Sequence, residues 1–267
     1  MSRTSPVMNV MQLAARKVSR RLVRDFGEVE NLQVSRKGPG DFVTAADVRT
    51  DERLREALQQ ARPNFGFLTE EGKDIVGQDE TRRWIIDPID GTMNFMHGTP
   101  VFSISIALEE AGEVTAGLVY APVSDEMFWA EKGQGAYLND RRLRVATRRH
   151  MGDTVIGTGM PQMGSPDTTG YLVELGAVMA ECAGIRCLGA ASLDLAYVAA
   201  GRFDGFWDRG LAPWDIAAGL LLAREAGATV SRTDGGANPL YAGDVLVANE
   251  AIHSRMLRLI RHSRRAQ

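Results

Sequence analysis

Cysteine is nearly missing from this chain: Cys182 and Cys187 are the two in 267 residues. They are too few and too close for a disulfide framework, and no C-x-x-C occurs, so a cytoplasmic location is the expectation. Long apolar runs are missing too. Nothing reaches the length that spans a bilayer, and Met1 to Pro6 is polar, so no membrane partner is expected. An excess of charge is also lacking, with 31 Lys and Arg against 34 Asp and Glu and a net −3. That excludes a general attraction to nucleic acid or to anionic lipid. There is no internal repeat, low-complexity segment or Ser/Pro-rich linker. What is present is a 44% hydrophobic content, enough to bury a sizeable core as one large domain or two joined halves.

The chain is organised around Trp84-Ile85-Ile86-Asp87-Pro88-Ile89-Asp90-Gly91-Thr92-Met93-Asn94-Phe95. Large apolar residues read as the end of a buried strand. Pro88 donates no ladder hydrogen bond, so the chain is expected to leave the sheet there. Gly91 permits a tight turn and Thr92 can open a helix. Asp87 and Asp90 are then expected at the carboxyl edge of a sheet, where open α/β sheets place ligands. Two hard oxygen donors beside backbone N–H groups suit Mg²⁺ bridged to phosphate. Read alone, the stretch is equally a strand-to-turn connection whose acids cap a helix and face water. Two further segments tilt the reading toward metal. Thr69-Glu70-Glu71-Gly72 follows a short apolar strand, and Pro213-Trp214-Asp215 precedes an apolar helix. A multi-metal site needs carboxylates from several segments because no single turn supplies enough oxygens.

W-I-I-D-P-I-D-G-T-M-N-F, with T-E-E-G upstream and P-W-D-I-A-A-G downstream, resembles the inositol monophosphatase family of metal-dependent, lithium-sensitive phosphatases. The likeness runs from the first helix to the last strand. It implies a layered α+β and α/β fold, an α-β-α-β-α sandwich, with one catalytic domain over 1–267. Its halves would be 1–150, carrying the metal motifs, and 151–267, carrying the substrate loop and the last metal ligand.

In order, Val7 to Phe26 has the spacing of an amphipathic helix. Lys37-Gly38-Pro39-Gly40-Asp41 reads as a turn-rich loop. Lys37 is an ordinary solvated side chain on physical grounds, or by resemblance part of a mobile lid. A helix to about Gln60 follows, with Asp47 as its N-cap or, by resemblance, as the acid that orients Thr92. Lys73 to Arg83 reads as a surface loop or hairpin. Phe102 to Leu108 alternates as a half-buried strand does, and antiparallel strands follow. Arg141, Arg142, Arg144, Arg148, Arg149 and His150 form the most basic patch; without interleaved aromatics it reads as a solvated strand edge rather than an RNA surface. From Thr154 a βα rhythm begins: strand 154–159, helix 170–183, strand 185–188, helix 191–200, strand 204–207, helix 215–226, strands 228–231 and 244–248, and helix 250–262.

Residue by residue, the resemblance implies that Glu70, Asp87 and the carbonyl of Ile89 hold one ion. Asp87, Asp90 and Asp215 would hold a second, and a third would sit near Glu70. The cofactor would be Mg²⁺, as two or three ions, with Mn²⁺ an alternative. Thr92, held by Asp47, would orient the water that attacks phosphorus. The substrate would meet Asp90, Gly91, Thr92, the loop Gly189-Ala190-Ala191, Asp208 and Asp215. Asp208 stands where inositol-hydrolysing members carry glutamate, one methylene longer. The expected partners are a small phosphate ester and a second copy of the chain. Histidinol phosphate, fructose 1,6-bisphosphate and a 3′-phosphonucleotide are alternative substrates. Binding to the transcription machinery, known for some bacterial members, is an alternative of another class.

Overall fold

The computed structural model describes residues 4–28, 34–38, 41–161, 164 and 167–265. Helix α1 (Pro6–Phe26) turns Met8, Met11, Ala15, Val18 and Leu22 inward at helical spacing, so one stripe of it is apolar. It packs on α2 (Ala45–Ala61), and the pair forms the first layer. Beneath lies a seven-stranded sheet of β3 (Phe65–Thr69), β4 (Asp79–Asp90), β5 (Ser103–Glu110), β6 (Glu113–Ala121), β7 (Glu126–Glu131), β8 (Gly135–Leu138) and β9 (Arg141–Arg142), in chain order across the sheet. The β3–β4 pair is parallel, and the remaining pairs are antiparallel.

The third layer is α5 (Ala191–Ala199) against α6 (Pro213–Glu225). Both are apolar nearly all round, as helices enclosed between sheets must be. A five-stranded mixed sheet follows, ordered β11 (Gly184–Arg186), β10 (Val155–Thr158), β12 (Gly205–Arg209), β14 (Asp244–Ala248), β13 (Thr229–Ser231). Helices α4 (Thr168–Met179) and α7 (Glu250–Arg265) close the far side. A hairpin of β1 (Val34–Gly38) and β2 (Asp41–Thr44) precedes α2, and the short α3 (Thr92–Met96) follows β4.

The core divides as five layers require, one apolar cluster at each interface. Strand periodicity does the sorting. Trp84 and Ile86 face the α1/α2 layer while Ile85 faces α5 and α6; Phe206 faces inward and Trp207 toward α4 and α7. The α-β-α-β-α sandwich is the architecture the resemblance implies.

Three expectations need correction. Residues 79–83, expected in a surface loop or hairpin, belong to β4, because Arg82 and Arg83 pair with Glu110 and Glu109 of β5 and Asp79 with Phe65 of β3. Strand β5 is buried on both faces, not half-buried. Its serines face helices: Ser105 Oγ donates to the Trp214 carbonyl at 3.1 Å, and Ser103 Oγ lies 2.7 Å from Ser192 Oγ. The N-cap of α2 is Thr44; Asp47 is three residues inside, its carboxylate accepting from the Thr44 N–H at 2.8 Å, which closes a capping box. Lys37 falls in β1, and its side chain, with residues 39 and 40, lies outside the described residues. Arg141 and Arg142 form the sheet's exposed edge strand, as the patch reading expects.

Candidate active site

The site begins with an irregularity in β4. Asp87 pairs with Ser105 and Asp90 with Ser103, so three steps on β4 match two on β5. On a regular strand an odd step would send the two acids to opposite faces. The bulge absorbs Pro88, which has no N–H to lose, and turns both carboxylates toward the α5/α6 layer. Pro88 therefore does not lead the chain out of the sheet; it kinks a strand that rejoins the ladder at Asp90. Gly91 ends the strand at φ 97°, and a Cβ there would stand 3.0 Å from the Val101 carbonyl oxygen. Glycine is required on both counts.

Around this turn lies a pocket of about 230 Å³. Glu70 reaches it from the end of β3, where its N–H donates to the Ile86 carbonyl at 3.2 Å. Asp87, Ile89 and Asp90 come from β4, with Gly91 and Thr92 beside them. Gly189, Ala190 and Ala191 form the start of α5, Asp208 ends β12, and Asp215 lies in the first turn of α6. Asp47 stands behind the wall. Its Oδ1 accepts from Thr92 Oγ1 at 3.0 Å, and its Oδ2 is held by the Thr44 N–H and hydroxyl. The Ile89 carbonyl lies 3.1 Å from the same Thr92 hydroxyl. Asp90 is gripped by α5: Ala191 N–H donates to Oδ1, and the Ser192 N–H and hydroxyl donate to Oδ2. Asp215 Oδ2 accepts from the Ala212 N–H at 2.7 Å, and Asp87 Oδ1 from the Ile89 N–H at 2.9 Å.

The model of the inositol monophosphatase family matches residues 3–265. The chain belongs to that family. It is 56% identical to the inositol-1-monophosphatase of Rhizobium meliloti (strain 1021) over 96% of each chain. It is 40% identical to the protein named Nus factor SuhB of Escherichia coli (strain K12) over 94% of each. Among solved structures, the extragenic suppressor protein suhB of Bartonella henselae superposes with TM-score 0.94 at 52% identity, over 96% of this chain and 98% of that one. As a member of the inositol monophosphatase family the protein is a phosphoric monoester hydrolase.

Electrostatics in this family member follow from burial. Asp87 is pushed well above the usual carboxylate range by desolvation, then by Glu70, Asp90 and Asp215. Burial raises Asp90 to about 6 against the Ser192 bonds that pull it down. Asp215 rises to about 8 through burial and Asp90, and Asp208 to about 7 through burial. Acids that burial, and then one another, push above the usual range are a donor set short of cations. Among the described residues no Lys or Arg lines the pocket, and the donors are hard oxygens, so a divalent cation fits the chemistry of the site. Among the described residues no three acids, imidazoles or thiols are closed around one point as they stand. The engaged oxygens of Asp90, Asp87 and Asp215 explain why: each is turned to a backbone N–H.

Several contacts were not foreseen in sequence. Ser192, which ends the Gly189-Ala190-Ala191-Ser192 loop that the resemblance points to, anchors Asp90, and Ser103 Oγ lies 2.7 Å from its hydroxyl; the alternation of β5 put Ser103 on a definite face, but not which partner that face meets. Asn94 Nδ2 donates to the carbonyls of Val101 and Leu188, tying α3 to the strand before α5. Gly159 and Met160 form another wall, and a Cβ on Gly159 would stand 1.9 Å from Asp208 Oδ2. Glu71 is not among the lining residues, and neither are the histidines and cysteines.

Proposed function

We propose that this phosphatase hydrolyses inositol monophosphate to inositol and phosphate, with Mg²⁺ held by Glu70, Asp87, the Ile89 carbonyl, Asp90 and Asp215. One observation supports the reading above others: four acids from three distant segments line one pocket beside a hydroxyl–carboxylate pair. The ions, two or three in number and replaceable by Mn²⁺, would lower the pKa of water and neutralise charge on the phosphoryl oxygens. The chain's own part is positional. Thr92 donates its proton to Asp47, so its lone pairs remain for the hydrogen of the attacking water. Asp47 cannot turn away, because the Thr44 N–H and hydroxyl hold its other oxygen. Gly189 to Ala191 and Asp208 would border the leaving group. Sensitivity to Li⁺, a homodimer, a cytoplasmic location and a single catalytic unit with halves 1–150 and 151–267 belong to the same reading. Among the described residues no helix is long and apolar enough to cross a membrane.

The test is a kcat/KM panel of inositol 1-phosphate, histidinol phosphate, fructose 1,6-bisphosphate and a 3′-phosphonucleotide, with Mg²⁺, Mn²⁺ or a chelator. Inositol 1-phosphate with Mg²⁺ should lead, and chelator should abolish turnover. A stronger preference for another ester would move the substrate, and full activity in chelator would remove the metals. A second reading, binding to the transcription machinery, is favoured by the 40% identical relative named a Nus factor. Capture of RNA polymerase or its elongation factors on the immobilised protein tests it independently of catalysis.

A further inference from the structure

Asp194 is a buried acid without a structural partner. It lies in the first turn of α5, is 1% exposed, and no described donor reaches its Oδ1. Among the other buried acids only Asp51 also has an oxygen no described donor reaches, and its second oxygen is paired with Arg55 at 2.8 Å. Asp47 has Thr44 and Thr92, Asp90 has Ala191 and Ser192, and Glu174 has Arg209 and Arg264. Asp194 makes no cap bond for its helix either. Its charged neighbours are Asp90 and Asp208, both of its own sign. A fold gains nothing from such a group, since a buried acceptor without a donor is destabilising. Yet Asp194 is among the residues that line the pocket, with Asp90 and Asp208 near it.

We propose that Asp194 is a specificity-determining residue: with Asp208 it forms an acidic wall that accepts hydroxyl hydrogens of a polyol leaving group. This rests on the phosphomonoesterase reading. Two buried acids with no Lys or Arg among the described lining residues offer a phosphate no counter-charge, so the phosphoryl group belongs at the Thr92 end, where ions would neutralise the acids. A neutral polyol is the opposite case, because its hydroxyls can hydrogen-bond to these acids without a counter-charge. A site built to accept a hydroxyl discriminates strongly against an ester that lacks one, since its buried acceptor is then left unpaired. The chemistry selects polyhydroxylated esters, cyclitol or sugar, over aryl or simple alkyl ones.

The experiment compares wild type with Asp194→Asn and Asp194→Ala in the full chain. Readouts are kcat and KM for inositol 1-phosphate and phenyl phosphate, binding of free myo-inositol by calorimetry, and the melting temperature. The ratio of the two kcat/KM values should fall at least tenfold, chiefly through KM for the polyol ester. Inositol should bind at least fivefold more weakly, and Asp194→Asn should melt no lower than wild type. A ratio within twofold of wild type, or equal loss on both esters with a lowered melting temperature, would make Asp194 structural and overturn the proposal. If wild type cleaves neither ester, the phosphomonoesterase reading fails, and inositol binding decides for Asp194. Absent or unchanged binding overturns it.

Discussion

Replacing Asp47 with asparagine separates the two jobs that one carboxylate performs. In the native protein all its neighbours are donors: Thr92 Oγ1 on Oδ1, and the Thr44 N–H and hydroxyl on Oδ2. An amide has one oxygen and one NH₂, so whichever way the new side chain is turned, donors face donors on one side. If the NH₂ meets Thr44, the capping box is lost at about 1 kcal/mol. A buried unsatisfied donor adds roughly 1–3 kcal/mol. The sum, about 2–4 kcal/mol, corresponds to a melting-point loss of roughly 5–15 °C for a chain of this size. If the NH₂ meets Thr92, that hydroxyl must accept rather than donate and no longer presents its lone pairs to water. Loss of such proton positioning lowers kcat by roughly 10²–10⁴-fold with little change in KM. The control is Thr44→Ala, which removes the cap's hydroxyl and leaves the Asp47–Thr92 bond. It should lose a few degrees of stability but keep kcat within about threefold. Steady-state kinetics at saturating Mg²⁺, with thermal melts of each variant, decide the matter. Equal loss of kcat in both variants would refute the assignment of Asp47 to Thr92.

Two further outcomes follow from the pocket. Asp90, Asp208 and Asp215 sit at about 6, 7 and 8 against 3.8 in the open chain, so the metal-free folded state holds protons that the unfolded state has released. Their stabilisation is complete below about pH 4 and is lost as pH rises through 6 to 8. Melts in chelator should therefore fall between pH 5.5 and 8.5, and Mg²⁺ should raise the melting point more at pH 8 than at pH 5.5. A flat or rising chelator profile would contradict the shifts. Gly159→Ala places a methyl where Asp208 Oδ2 now lies and must turn that side chain. KM for inositol 1-phosphate should rise about tenfold with the melting point nearly unchanged; an unaltered KM would detach Asp208 from the substrate.

Much of the site was legible because it is built from short contiguous motifs. The D-P-I-D-G-T stretch carries its own turn and helix start, though not the bulge that keeps Pro88 in the sheet, and resemblance extended it to Glu70, Asp215 and Asp47. The helices and strands of the second half were legible for a related reason: apolar segments alternate with turns, and Gly201 and Gly227 mark where α5 and α6 end. Strand β5 shows where this fails. Alternation of Ile and Ser predicts a wet face, and the same pattern is dry here because α5 and α6 cover it. The N-terminal part of β4 was hidden too, since polar edge residues pair through their backbone, which no side-chain pattern reports. Nothing in the sequence marks Asp194 out; its isolation is a property of what surrounds it.

From the residues alone came the motifs and, through the resemblance they carry, the layer order and the set of acids, because local turn chemistry is written along the chain. Tertiary structure alone decided that a bulge at Pro88 is what brings Asp87 and Asp90 to one face, that Ser192 and Ala191 grip Asp90, and that burial does most to raise the acids' pKa values. Those are relations between segments as far apart as Glu70 and Asp215. Distance in space, unlike composition, exists only once the layers have packed.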